Sequence, residues 1–113
     1  MWRIRVQRTF SAAHQIHGMG GKCEDVHGHN YRVEVEVSGP RLKKPGMIAD
    51  FTEVGRRLET ILPDHKMLNE VYDFNPTAEN LARRFYEEMS EFYAVSRVTV
   101  WETADTCASY SAG

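Results

Sequence analysis

His27-Gly28-His29-Asn30-Tyr31-Arg32-Val33-Glu34-Val35-Glu36-Val37-Ser38-Gly39 is the stretch from which the fold can be read. Tyr31, Val33, Val35 and Val37 alternate with Arg32, Glu34, Glu36 and Ser38, the period-2 pattern of a strand with one buried face. Gly39-Pro40 ends it. His27 and His29 have the parity of the valines. If the strand starts at them, two imidazoles lie on the buried side, where polar groups need partners.

Upstream, Trp2, Ile4 and Val6 alternate with Arg3, Arg5 and Gln7, and Phe10, Ala12 and His14 continue the same parity. This predicts a first strand that carries His14 to its end. Gly18, Gly20 and Gly21 mark a loop between the two strands, and His17 is read as a loop residue. Downstream, Lys43-Lys44-Pro45-Gly46 is a turn. A helix is expected from Asp50, with Glu53 as its capping-box partner and an apolar stripe of Phe51, Val54, Leu58, Ile61 and Leu62. His65 to Asn75 reads as a loop. Thr77 is the expected N-cap of a second helix whose core side carries Leu81, Ala82, Phe85, Met89 and Phe92. Val98 and Val100 mark a third strand, with Glu102 on their parity, and a short fourth strand is expected from Thr106 to Tyr110. The order ββααββ predicts an α+β domain, a four-stranded antiparallel sheet with two helices on one face. The other face is left for solvent or another subunit.

The chain has 113 residues, 27% of them charged, and a formal net charge of −2. Residues 1–113 are expected to form a single domain. The slight acidity argues against a general nucleic-acid binder. No apolar run is long enough for a signal peptide or a membrane span, and two cysteines, Cys23 and Cys107, are too few for a disulfide framework. The expectation is a cytoplasmic protein that binds neither nucleic acid nor membrane.

His27 and His29 lie two apart, so on a strand both point the same way. With His14 on the neighbouring strand they make a set of three imidazoles suited to zinc, with no obvious fourth protein ligand. Three ligands and an open position are a catalytic pattern. Taken without the third, an H-x-H pair reads first as chance or as a pair of satisfied core histidines; His14 on the matching face brings the metal reading level with it. Cys23 reads three ways: as a fourth zinc ligand in a structural, non-catalytic zinc-binding module, as an acid/base thiol, or as an ordinary loop residue. Asp64-His65 is either an acid/base dyad or a helix-ending aspartate beside a surface histidine.

Six pieces in order make the pattern specific: Phe10-Ser11-Ala12-Ala13-His14, Cys23-x-x-x-His27-Gly28-His29-Asn30-Tyr31, Met47-Ile48-Ala49-Asp50-Phe51, Asp64-His65-Lys66-Met67-Leu68-Asn69, Pro76-Thr77-Ala78-Glu79-Asn80 and Trp101-Glu102-Thr103. The chain resembles the 6-pyruvoyl-tetrahydropterin synthase / 6-carboxy-tetrahydropterin synthase family over nearly its whole length. The resemblance implies a tunnelling-fold (T-fold) subunit that joins others into a homo-oligomeric trimer or hexamer with active sites at subunit interfaces. It implies catalytic Zn2+ on His14, His27 and His29, a proton-transferring Cys23, and Asp64 and His65 completing the relay. Glu102 would anchor the pterin ring, with Thr77 and Glu79 at the pterin edge. The substrate would be 7,8-dihydroneopterin triphosphate, its anion held by bases among Lys22, Lys43, Lys44 and Lys66.

The spacing Cys23-x-x-x-His27-Gly28-His29 resembles the 6-carboxy-tetrahydropterin synthases of queuosine biosynthesis, and Cys23-Glu24 resembles a subgroup that also forms 6-hydroxymethyl-7,8-dihydropterin for folate. Glu24 is therefore a further catalytic candidate. The 6-pyruvoyl activity ranks third.

Overall fold

The computed structural model describes residues 1–21 and 24–113. Two 13-residue strands, β1 (Trp2–His14) and β2 (His27–Gly39), form its backbone. They pair antiparallel without interruption from Trp2 opposite Gly39 to His14 opposite His27. Helix α1 (Phe51–Ile61) follows, then strand β3 (Lys66–Met67), the one-turn helix α2 (Leu68–Val71), helix α3 (Ala78–Met89), strand β4 (Val95–Trp101) and strand β5 (Cys107–Tyr110). The sheet order is β3-β1-β2-β4-β5.

The α+β architecture expected from the alternation is present, with five strands in place of four and three helices in place of two. The additions both fall in the segment read as a loop, His65 to Asn75. β3 pairs parallel to β1 at Ala12 and Ala13. Its two residues are too few to show an alternation, so no sequence pattern announces it.

The alternating residues do as their parity predicts along most of the sheet. Val6, Phe10, Tyr31, Val33, Val35, Val98 and Val100 are buried beneath Val54 and Leu58 of α1 and Leu81, Phe85 and Met89 of α3. Phe10 stacks on Tyr31 at 4.8 Å between ring centroids, and Phe85 meets Phe10 edge-on at 5.9 Å. The opposite sheet face is polar. Arg5 bonds Glu36 at 2.9 Å and Gln7 bonds Glu34 at 2.8 Å, cross-strand pairs set by the β1–β2 register. Burial opposes ionisation of Glu36, but hydrogen bonds from Ser96 and Arg5 outweigh it and hold the carboxyl below its usual range.

Three apolar residues depart from expectation. Trp2, Phe51 and Phe92 are exposed, at 53%, 59% and 51%. Each sits at or beyond the end of its element, where the packed face runs out; Phe92 instead carries the Arg57 guanidinium at 3.9 Å. The capping box on α1 is also not formed. Asp50 caps the helix by accepting from the Thr52 N–H at 2.8 Å, while Glu53 accepts from the Tyr93 hydroxyl at 2.9 Å. Replacing Asp50 with alanine therefore lowers unfolding free energy by about 1 kcal/mol, read as a lower urea midpoint at unchanged m-value. Among the described residues no helix is long and apolar enough to cross a membrane.

Candidate metal centre and its surroundings

The antiparallel register brings His14 opposite His27, and Ala12 opposite His29. All three imidazoles have the parity of Tyr31, so they stand above the aromatic end of the core. Strand β4 adds the fourth group. Its last residue, Trp101, pairs with Arg32, and the next residue, Glu102, reaches back to His29. One ligand atom from each of His14, His27, His29 and Glu102 lies within 4.8 Å of all the others.

The closest approaches explain what such a group needs. His14 Nε2 lies 3.0 Å from His27 Nε2. On their far sides, His14 Nδ1 faces the Pro76 carbonyl and His27 Nδ1 the Asp25 carbonyl, each at 2.8 Å. A carbonyl only accepts, so both Nδ1 atoms carry the proton and both Nε2 atoms present lone pairs to each other. Two facing lone pairs repel unless a proton or cation lies between them. His29 Nε2 is buried without a hydrogen bond; its 3.0 Å approach to Glu102 Oε1 is not aligned as one. Burial holds the His29 imidazole below its ordinary pKa, with Glu102 opposing, which favours the neutral, ligating form. Carbonyl groups behind the rings fix ring orientation as they do around bound metals. The residues present thus fit a metal ion.

Glu24 completes this side of the site. Its Oε1 is buried with no hydrogen-bond partner, 4.0 Å from His27 Nε2. Cys23, expected beside it, lies outside the described residues, as does Lys22.

The Asp64–His65 dyad forms, with His65 Nδ1 2.9 Å from Asp64 Oδ2. Asp64 Oδ1 accepts the Ser11 backbone N–H at 2.9 Å, and the His65 N–H bonds the Ser11 carbonyl. The Ser11 N–H is the main cause holding Asp64 below the usual carboxyl range, with His65 adding to it. His65 takes a left-handed backbone, φ 57°. It lines a shallow cleft of about 520 Å³ with Ser11, Ala13, Gly28 and Asn30, residues of the parity opposite to the three histidines, and with His29 of the cluster itself. The dyad therefore sits at the sheet edge beside β1, and its cleft reaches the cluster at His29.

The profile of one protein family, 6-pyruvoyl tetrahydropterin synthase, matches residues 3–113. The chain belongs to this family. It is 43% identical to an Archaeoglobus fulgidus protein, over 90% of this chain and 89% of that one, which is provisionally named a 6-carboxy-5,6,7,8-tetrahydropterin synthase. A Synechocystis protein bearing that name without qualification is 33% identical over 97% and 93% of the two chains. The dihydroneopterin monophosphate aldolase of Pyrococcus furiosus is 32% identical over 88% and 89%. Among solved structures, the Caenorhabditis elegans 6-pyruvoyl tetrahydropterin synthase superposes with a TM-score of 0.81 at 26% identity, covering 100% of this chain and 98% of that one. As a member of the 6-pyruvoyl tetrahydropterin synthase family the chain is an enzyme, a pterin lyase with the T-fold.

The remaining expected residues are peripheral to the cluster. Thr77 caps α3, accepting the Asn80 N–H at 3.1 Å, and Glu79 is exposed in the first turn. The neighbouring Pro76 carbonyl is the group that orients His14, a backbone role that carries no side-chain signal. Glu102 as a neighbour of the three histidines went unread because only the β2–β4 register shows it. Asn69 and Asn75 also went unread, although Asn69 closes the Asp64-to-Asn69 motif. Lys66 adjoins the dyad. Lys43 and Lys44 follow the far end of β2, about 40 Å along the hairpin from His14.

Proposed function

We propose that this chain is a zinc-dependent lyase. It converts 7,8-dihydroneopterin triphosphate to 6-carboxy-5,6,7,8-tetrahydropterin, releasing acetaldehyde and triphosphate, in the biosynthesis of queuosine and related 7-deazapurines. The observation that carries the reading is the convergence of three imidazoles, two of them with facing Nε2 atoms 3.0 Å apart and the third with a buried, unbonded Nε2. Relatives named 6-carboxy-5,6,7,8-tetrahydropterin synthase support the choice of product.

Residues 1–113 act as one domain in this reading. His14, His27 and His29 hold zinc, which when bound polarises the substrate's side-chain hydroxyls and acidifies the adjacent C–H bonds. Glu102, its side chain 31% exposed where His14 is wholly buried, faces the open side and accepts hydrogen bonds from the pterin amino and ring N–H groups. Thr77 and Glu79 border the pterin edge. Cys23 and His65 move protons on the substrate side chain, with Asp64 holding the His65 ring. Lys66, beside His65, is the base best placed for the triphosphate. In this reading the chains form a homotrimer or hexamer with active sites at subunit interfaces, where the dyad of a second subunit completes the site.

A second activity is favoured by Glu24. A buried, unpartnered carboxylate oxygen 4.0 Å from His27 is placed for acid/base work. The Pyrococcus furiosus relative is named an aldolase. Glu24 would support cleavage to 6-hydroxymethyl-7,8-dihydropterin.

The test is product analysis by mass spectrometry of the zinc-loaded protein given 7,8-dihydroneopterin triphosphate and, in parallel, dihydroneopterin. 6-Carboxy-tetrahydropterin with acetaldehyde is expected from the triphosphate. Glu24→Gln is expected to cut any 6-hydroxymethyl-dihydropterin at least about 10-fold, the usual span of a general acid/base group being about 10²–10⁴. Cys23→Ala is expected to remove the carboxy product. Absence of both products from zinc-loaded protein overturns the assignment.

A further inference from the structure

We propose that Asn69, assisted by Asn75, is a positioning residue that sets the Glu24 carboxylate against the metal centre. The proposal rests on Glu24 acting as the acid/base group of the second activity.

Strand β3 accompanies β1 only at Ala12 and Ala13, then turns into α2. Beyond His14, side-chain carboxamides take over as the strand's hydrogen-bonding partner. Asn69 Oδ1 accepts the Gln15 N–H and Asn69 Nδ2 donates to the Gln15 carbonyl, both at 2.8 Å. Two residues on, Asn75 does the same for His17, with both bonds at 2.9 Å. A primary amide offers the acceptor and donor pair that a strand offers, so the backbone groups of Gln15 and His17 are paired on that side without a further strand.

The held segment in turn holds Glu24. The Glu24 N–H bonds the Ile16 carbonyl and Gln15 Nε2 donates to the Glu24 carbonyl, each at 2.9 Å. Both backbone groups of Glu24 are thus fixed by residues 15 and 16. Its side chain then keeps Oε1 buried and unbonded, 4.0 Å from His27 Nε2. A desolvated carboxylate oxygen would relax toward water if its backbone were free to move. The path from Asn69 through Gln15 to Glu24 is what prevents this. Asn75 also ties the arrangement to α3, since its carbonyl accepts from Asn80 Nδ2 at 2.9 Å.

Two variants test the proposal in zinc-loaded protein. Asn69→Ala removes both bonds to Gln15. Asn69→Asp keeps the acceptor for the Gln15 N–H and loses the donor, and it decides the matter should the alanine variant not fold. Amide hydrogen exchange by NMR is expected to speed about 10-fold or more at Glu24 in Asn69→Ala, and less in Asn69→Asp. Exchange at Val35, in the centre of the sheet, should stay within about 2-fold. Zinc content should stay at the wild-type level. The kcat for 6-hydroxymethyl-dihydropterin should fall about 10- to 100-fold at unchanged KM. An unchanged Glu24 amide overturns the proposal, as does an equal acceleration at Val35, which would mark Asn69 as part of global stability only. If wild type forms no hydroxymethyl product, the assigned activity of Glu24 fails, and the amide-exchange comparison still decides the positioning role.

Discussion

His27→Ala leaves the fold standing, empties the metal site and abolishes turnover. Among the three histidines His27 is the one whose loss costs the core least, since its side chain is 37% exposed while that of His14 is wholly buried. Its ring contacts His14 and His29 at centroid distances of 4.6 and 4.8 Å, and among the described residues its Nδ1 is tied only to the Asp25 carbonyl. Removing it takes away one of three nitrogen ligands without opening a buried cavity. Zinc per chain, measured by mass spectrometry after gel filtration, is expected to fall from near one to near zero. Lyase activity should fall by about 10³-fold or more, because the ion's contribution to acidifying a substrate proton is lost entirely. A second readout is thermal. Wild type should gain stability from zinc, by about 2.7 kcal/mol at 100 times its dissociation constant, whereas the melting temperature of His27→Ala should not respond. Full zinc occupancy in His27→Ala would remove His27 from the ligand set.

Mixing two inactive variants restores activity. His27→Ala lacks the metal centre and His65→Asn lacks the dyad's imidazole. Asparagine suits the second position because His65 has φ 57°, a left-handed conformation that asparagine tolerates better than most residues. Each variant alone should retain a negligible fraction of wild-type turnover. Refolded together in equal amounts, they should recover about a quarter of it, the chance that an intact cluster meets an intact dyad when neighbours are drawn at random from a symmetric ring. The physical basis is the sheet itself. His14, His27 and His29 share the parity of the core, whereas His65 stands at the sheet edge in a cleft with Ser11 and Asn30 that His29 alone of the cluster also borders. In the proposed assembly the metal centre of one chain works with the dyad of its neighbour, so recovery requires mixed oligomers. Verified mixed oligomers with no recovery would show that each chain completes its own site.

The candidate metal centre was legible because its histidines obey strand parity. His14, His27 and His29 fall on the alternation of Val6, Tyr31 and Val33, so reading the strands was enough to place the imidazoles on one side. The dyad was legible as a motif and illegible as geometry. Its face depends on a two-residue strand and a left-handed histidine, neither of which leaves a periodic trace. Glu102 was legible by its parity with Val98 and Val100, but its nearness to His29 needs the pairing of β4 with β2. The Asn69 and Asn75 carboxamides act across more than 50 residues of sequence, on backbone groups that any residue carries. The apolar stripes of α1 and α3 were right at their centres and wrong at Phe51 and Phe92, where a helix ends before its pattern does.

The unbroken pairing of β1 with β2 also limits where this chain can change in length. The side-chain period of a strand is two, so one residue added within either strand turns everything beyond it to the other face. An insertion between Tyr31 and His29 would send both of the β2 histidines to the dyad's side and leave His14 alone above the core. An insertion between His14 and His27 moves none of them, provided the two strand ends still meet. Between Trp2 and Gly39, growth and loss of sequence that keep the three histidines together are therefore confined to residues 15–26, the same stretch that carries Glu24. The connection that carries the proposed acid/base residue is thus the part of the hairpin free to vary in length, because a 13-residue ladder forbids it in the two strands.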